Sequence, residues 1–176
     1  MSKGDLLSVA GHMLDHREGG SNECVEWSAC TKLTEHLATR ELLHSLYNGG
    51  CRTLELGIET LDPDTMALIG KVQSEDTLHR LLDAAAAVQL PLVLNYITGF
   101  PGEGEKAAAA YSRLSEEVAR RKIQAGLVAS IEHNTFQLER LSPMGMDPSK
   151  FGLTVTTDAS TIPAATVLPH REATSY

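Results

Sequence analysis

Thr53-Leu54-Glu55-Leu56-Gly57-Ile58-Glu59-Thr60 is the stretch that decides the fold, because Leu54, Leu56 and Ile58 alternate with Thr53, Glu55 and Gly57. Strict alternation is the period of a β-strand with two unlike faces. Leu61-Asp62-Pro63 breaks the pattern, and a helix is expected from Ser74, with Leu78, Leu81, Leu82, Ala85 and Ala86 on one stripe. The phrase is strand, turn, helix. It occurs upstream as well, where Val25, Trp27 and Ala29 alternate with Glu26, Ser28 and Cys30, followed by a helix from about Thr39 carrying Leu42, Leu43, Leu46 and Tyr47 and closed by Gly49-Gly50. Downstream, Leu92 to Ile97 runs into Gly99-Phe100-Pro101-Gly102, and a helix from about Glu105 places Ala107, Tyr111, Leu114 and Val118 together. Leu127 to Ile131 reads as a fourth strand.

Strands and helices alternating at about thirty residues per unit imply parallel pairing with right-handed crossovers. The expected fold class is α/β, an incomplete parallel (β/α) barrel of about four βα units. Its 176 residues fall short of the roughly 250 of a closed eight-stranded barrel. Residues 1–22 are expected to form an N-terminal helix, with Leu6, Val9, Ala10, Met13 and Leu14 at helical spacing, and a linker. The partial barrel takes residues 23–156. Residues 157–176, rich in Thr, Ala, Ser and Pro, are expected to be a poorly ordered tail. An open parallel sheet leaves edges and faces that another segment or a partner chain must cover.

Composition narrows the function. Fifteen Lys and Arg stand against 23 Asp and Glu, a net charge of −8 with no basic cluster, which disfavours nucleic-acid binding. No run approaches the ~18 apolar residues of a membrane span, and the N-terminus lacks the apolar stretch of a signal peptide. Cys24, Cys30 and Cys51 are an odd set without a closely spaced pair, so a disulfide framework is not expected and a cytoplasmic location is. Their spacing fits no zinc or iron–sulfur pattern, and Cys30 is expected to be a small buried side chain.

If Leu54, Leu56 and Ile58 face the helices, then Glu55, Gly57 and Glu59 face the other side, the interior of a barrel. Glu59 closes its strand at the end where βα folds place ligand contacts, and Gly57 lets a ligand approach the backbone. The same spacing also fits Glu59 as a cap of the next turn. Gly99 to Gly104, between a strand and a helix N-terminus, could cradle an anion or simply form a tight turn. Glu132 and His133, expected to end the fourth strand, could serve as a base or as hydrogen-bonded scaffold.

Leu54 to Thr60, then Met66 to Lys71, then Tyr96-Ile97-Thr98-Gly99-Phe100-Pro101-Gly102-Glu103 resemble, in order and spacing, the radical S-adenosylmethionine enzymes. Phe136 to Pro143 and Pro148 to Leu153 resemble the post-barrel segment of the cobalamin-binding branch, which includes peptide-modifying enzymes. The resemblance spans residues 25–155. It implies that Glu59 binds the ribose hydroxyls of S-adenosylmethionine, that Ile97, Gly99 and Phe100 contact its adenine, and that Lys32 approaches its methionine carboxylate where the family carries arginine. In that family three cysteines, with three and two residues between them, hold a four-iron, four-sulfur cluster after the first barrel strand. That loop has no counterpart in this sequence.

Aligned on the resemblance, these residues begin near the third of six strands. Three readings follow. The chain is part of a radical enzyme acting on a peptide or small molecule, with the cluster supplied by a missing segment or a partner chain and with cobalamin as a further cofactor. It is a non-catalytic binding protein derived from such a barrel. Or it is an unrelated α/β enzyme with Glu59 or Glu132 as general base.

Overall fold

The computed structural model describes residues 3–18, 25–156 and 170–172. Helix α1 (Lys3–Glu18) leads to strand β1 (Trp27–Lys32), α2 (Arg40–Asn48) and β2 (Cys51–Glu59). The short α3 (Pro63–Leu68) and the longer α4 (Glu75–Val88) return the chain to β3 (Leu92–Thr98), and α5 (Glu105–Ala125) returns it to β4 (Ala129–Thr135). A one-turn α6 (Pro143–Met146), a 3₁₀ turn at Pro148–Phe151, and the antiparallel pair β5 (Leu153–Val155) and β6 (His170–Glu172) complete the described chain.

The main sheet has the order β1-β2-β3-β4 and is parallel throughout. This is the arrangement that the repeated strand–helix phrase implies. The helices start where the sequence supplies caps: the side chains of Thr39, Asp62 and Ser74 accept from the backbone N–H of Leu42, Thr65 and Thr77. Leu54, Leu56, Ile58, Leu92, Leu94 and Tyr96 are at most 1% exposed and pack with Leu43, Leu46, Leu81 and Leu82 from the helix layer. Within that layer α1 packs on α2, α2 on α4, and α4 on α5. Leu6 and Ala10 of α1 enter the same core.

The opposite face differs. Ser28, Cys30, Lys32, Glu55, Gly57, Val93, Asn95, Ser130, Glu132 and Asn134 include no buried residue. The strand register sets Lys32, Gly57, Asn95 and Glu132 in one row across all four strands.

Three expectations are corrected. Cys30 is exposed on this open face, because its position in the alternation points it away from the helices. The fourth strand runs two to four residues later than the apolar run Leu127 to Ile131: Leu127 is buried before the strand begins, and parallel pairing with β3 continues to Thr135. Glu132 and His133 therefore lie within β4 and not at its end. Cys24 and most of 157–176 lie outside the described residues, so the tail expectation falls there except at β6. No helix among the described residues is long and apolar enough to cross a membrane.

Candidate functional site

The site is built at the carboxyl end of β2. After Gly57 the ladder with β3 shifts register, and Glu59 adopts φ +61°, the left-handed region that non-glycine residues rarely occupy. Such strain persists only where surrounding contacts over-determine it. Those contacts come from the segment after α3. Gln73 Nε2 donates to the carbonyls of Ile58 at 2.7 Å and Thr60 at 2.8 Å, and Lys71 Nζ donates to the carbonyl of Gly57. Side chains thus replace the hydrogen-bond partners that a neighbouring strand would give.

Helix α3 delivers Lys71. Asp62 caps it and Pro63 occupies its first turn, while its far end closes with Gly70 at φ +64°. The Gly70 N–H donates to the Ala67 carbonyl at 3.2 Å, and the Lys71 N–H to the Met66 carbonyl at 2.9 Å, the paired closure that fixes the two residues beyond a helix. From there the Lys71 ammonium reaches Glu59 Oε1 at 3.5 Å. Burial holds Lys71 below the usual lysine value, with Glu59 opposing that shift and Lys32 adding to it.

Gly57 leaves room for the carboxylate to lie where it does. A β-carbon there would collide with Glu59 Oε1 and stand 3.4 Å from Glu59 Cδ and 3.7 Å from Lys71 Nζ. The carboxylate therefore lies back over the strand, above the residue the sequence pattern marked as a close approach. Lys32, Leu33, Thr34, Glu59, Ile69, Gly70, Lys71 and Val72 line a cleft of about 420 Å³. Lys32 pairs with Gly57 in register. Three of the expected cofactor contacts, Lys32, Gly57 and Glu59, are thus brought together.

The other three, Ile97, Gly99 and Phe100, lie at the end of β3. Phe100 is 5% exposed and its ring sits 5.1 Å from that of Phe136. Both line an apolar hollow of about 280 Å³ with Leu68, Ile69, Met144 and Phe151. Ile69 borders this hollow and the Lys32–Glu59 cleft alike. The glycine loop cradles an anion of its own: the Glu103 carboxylate accepts from the backbone N–H of Gly99 and, at 3.2 Å, of Phe100. A turn bond from the Glu103 N–H to the Phe100 carbonyl at 3.0 Å, with Gly102 at φ +74°, closes the loop. His133 is hydrogen-bonded, with Nε2 2.8 Å from Thr98 Oγ1 and its ring 5.0 Å from that of Tyr111.

The partial barrel and its strand-end cleft define a fold, that of the radical S-adenosylmethionine enzymes seen in part. The chain is similar to the radical S-adenosylmethionine methyltransferase TsrM from Kitasatospora setae, solved with cobalamin and a [4Fe-4S] cluster bound, at 15% identity and a TM-score of 0.63. The likeness covers 87% of this chain and 30% of that one. The same methyltransferase with tryptophan substrate and a SAM analogue matches at TM-score 0.63 and 15% identity, over 86% and 30% of the two chains. Coproporphyrinogen III oxidase, HemN, from Escherichia coli, a radical SAM enzyme, matches at TM-score 0.58 and 18% identity, over 83% and 31%. The chain thus spans about 30% of the length of these enzymes. In sequence, neither a protein-family model nor a curated protein matches it.

The residues present fit one implied group better than another. Glu59 over Gly57, facing a cleft with two ammonium groups, suits a ligand bearing hydroxyls and a carboxylate. An iron–sulfur cluster does not fit: among the described residues no three His, Cys, Asp or Glu stand close enough to hold a metal ion. Cys30 is exposed in β1 and Cys51 is buried at the start of β2, where burial pushes its thiol up and away from the thiolate that ligation needs.

Proposed function

We propose that the carboxyl end of this partial barrel binds S-adenosylmethionine, with Glu59 accepting from the ribose hydroxyls and Lys32 facing the carboxylate. Ile97, Gly99 and Phe100 offer the adenine an apolar surface. The observation that carries this reading is the Glu59 carboxylate, held over Gly57 at the mouth of the cleft that Lys32 also lines. When bound and reductively cleaved, such a sulfonium supplies a carbon radical, and the electron for that step would come from a cluster for which the described residues offer no ligand set. Radical modification of a peptide or small molecule in the cytoplasm therefore depends on a cluster, and a completed barrel, contributed from outside these residues; a cobalamin cofactor belongs to that completed assembly.

The test is calorimetric titration with S-adenosylhomocysteine. Glu59→Ala is expected to weaken binding by about 1.5–3 kcal/mol, the range of a hydrogen bond to a charged group. Unchanged affinity removes Glu59 from the site. A second reading, a binding protein without a reaction of its own, draws support from the open polar face of the sheet. Anaerobic reconstitution with iron and sulfide separates the two: cleavage of S-adenosylmethionine that arises only with a partner chain favours the first reading, and nucleoside binding that no partner converts to cleavage favours the second.

A further inference from the structure

We propose that Lys71 is a positioning residue of the cleft, a latch that ties the Gly57 carbonyl to the Glu59 carboxylate and aims the carboxylate along the cleft toward the Lys32 side. Its own backbone is fixed by the closure of α3, so its reach is set by a folded element and not by a free loop. Its side chain is 16% exposed, against 31% for Glu59. An ammonium removed from water to that extent is costly unless its donors are used, and here they meet one carbonyl and one carboxylate of the same strand end. Together with Gln73, which holds the Ile58 and Thr60 carbonyls, the latch explains why Glu59 can hold a left-handed φ at the last position of a strand. It also gives Gly57 a second role, since a side chain there would displace the carboxylate from its place beside the ammonium.

The charged groups facing Lys71 are Glu59 from the end of β2 and Lys32 from the end of β1. Their influences are opposite in sign, which makes the latch measurable without any ligand. With ¹³C-labelled lysine, one resonance should titrate below the others and vanish in Lys71→Arg. Glu59→Gln should lower that titration further, and Lys32→Met should raise it. Glu59→Asp, which keeps the charge and shortens the arm, should lower it in part and serves if the glutamine variant is poorly folded. A Lys71 titration indifferent to both Glu59 substitutions overturns the proposal, because a side chain that merely braces the Gly57 carbonyl would not sense the carboxylate.

A second arm rests on the proposed nucleoside site. Lys71→Met should weaken S-adenosylhomocysteine about tenfold, the scale of one charge-assisted hydrogen bond, and Lys71→Arg should recover most of it. Should Glu59→Ala weaken the nucleoside while Lys71→Met does not, the latch is overturned and the site stands. Should the lysine titration respond to Glu59 while no protein binds the nucleoside, the latch stands and the proposed function fails.

Discussion

The two faces of the four-stranded sheet are made from the same strands and carry opposite chemistry. Toward the helices, Leu54, Leu56, Ile58, Leu92, Leu94 and Tyr96 are sealed from water. On the other side, the rows Cys30, Glu55, Val93, Ser130 and Lys32, Gly57, Asn95, Glu132 present mostly polar groups, none of them buried. Parallel sheets are usually covered on both faces, and their strands then read as near-continuous apolar runs. A parallel strand that alternates, as β2 does, has one face committed to folding energy and the other left for water, a ligand or the far wall of a barrel. The face that supplies folding energy is therefore separable from the open face in this molecule, and substitutions can test the separation.

The largest effect is expected on the sealed face. Leu56→Ala should cost about 2–5 kcal/mol by urea denaturation, the range for deleting a buried leucine side chain, whereas the neighbouring Glu55→Ala should stay within about 0.5 kcal/mol. Equal losses would show that the open face is packed as well. A smaller loss is expected where the helix layer holds itself together: Arg121 is 5% exposed, with Nε 2.7 Å from Asp83 Oδ1 on α4 and a second bond to Glu117 on its own helix. Arg121→Met should lower stability by about 1–3 kcal/mol, tempered because Asp83 itself is largely exposed. Its nucleoside affinity should equal that of the parent protein, and a change in affinity would mean that the helix layer and the cleft are coupled.

Much of this division was legible in the sequence. The alternation in Leu54 to Ile58 marked the sheet and its two faces as far as Gly57, while the register shift and left-handed φ that place Glu59 had no mark in it, and Ser74 and Thr39 marked helix starts that the structure keeps. Periodicity failed where an element is too short to show it. Helix α3 spans only six residues, yet Asp62 before it, Pro63 at its first position and Gly70 after it are the chemical marks of its two ends. Reading them would have marked Lys71 as the residue just beyond a short helix, and its contact with the strand end is a matter of tertiary packing. The fate of the glycine loop was not legible, because whether its N–H groups bind a ligand or Glu103 depends on a turn geometry that glycines permit without specifying. The late start of β4 has a similar cause: Leu127 satisfies the apolar pattern from a position outside the strand, while Glu132 to Thr135, polar and exposed, extend it by pairing alone.

The smallest expected effect probes how dry the sealed face is. Cys51 is fully buried, and burial raises its thiol above the ordinary value, so the unfolded chain gives up that proton first as pH climbs. The contribution of the buried thiol is intact below about pH 8.5, the ordinary thiol value, and is lost as pH rises from there toward the raised value of the folded protein. The Tyr96 hydroxyl, also raised by burial, has the same sign from about pH 10. Lys71, lowered by burial, has the opposite sign, because the unfolded chain holds its proton longer and stability recovers as pH rises toward about 10.4. Chemical denaturation followed from pH 7 to pH 10 should therefore show an alkaline decline that begins later in Cys51→Ala than in the parent protein. Parallel declines in the two proteins would mean that water reaches the thiol at the start of β2, and that the contrast between the two faces weakens at the amino-terminal end of the sheet.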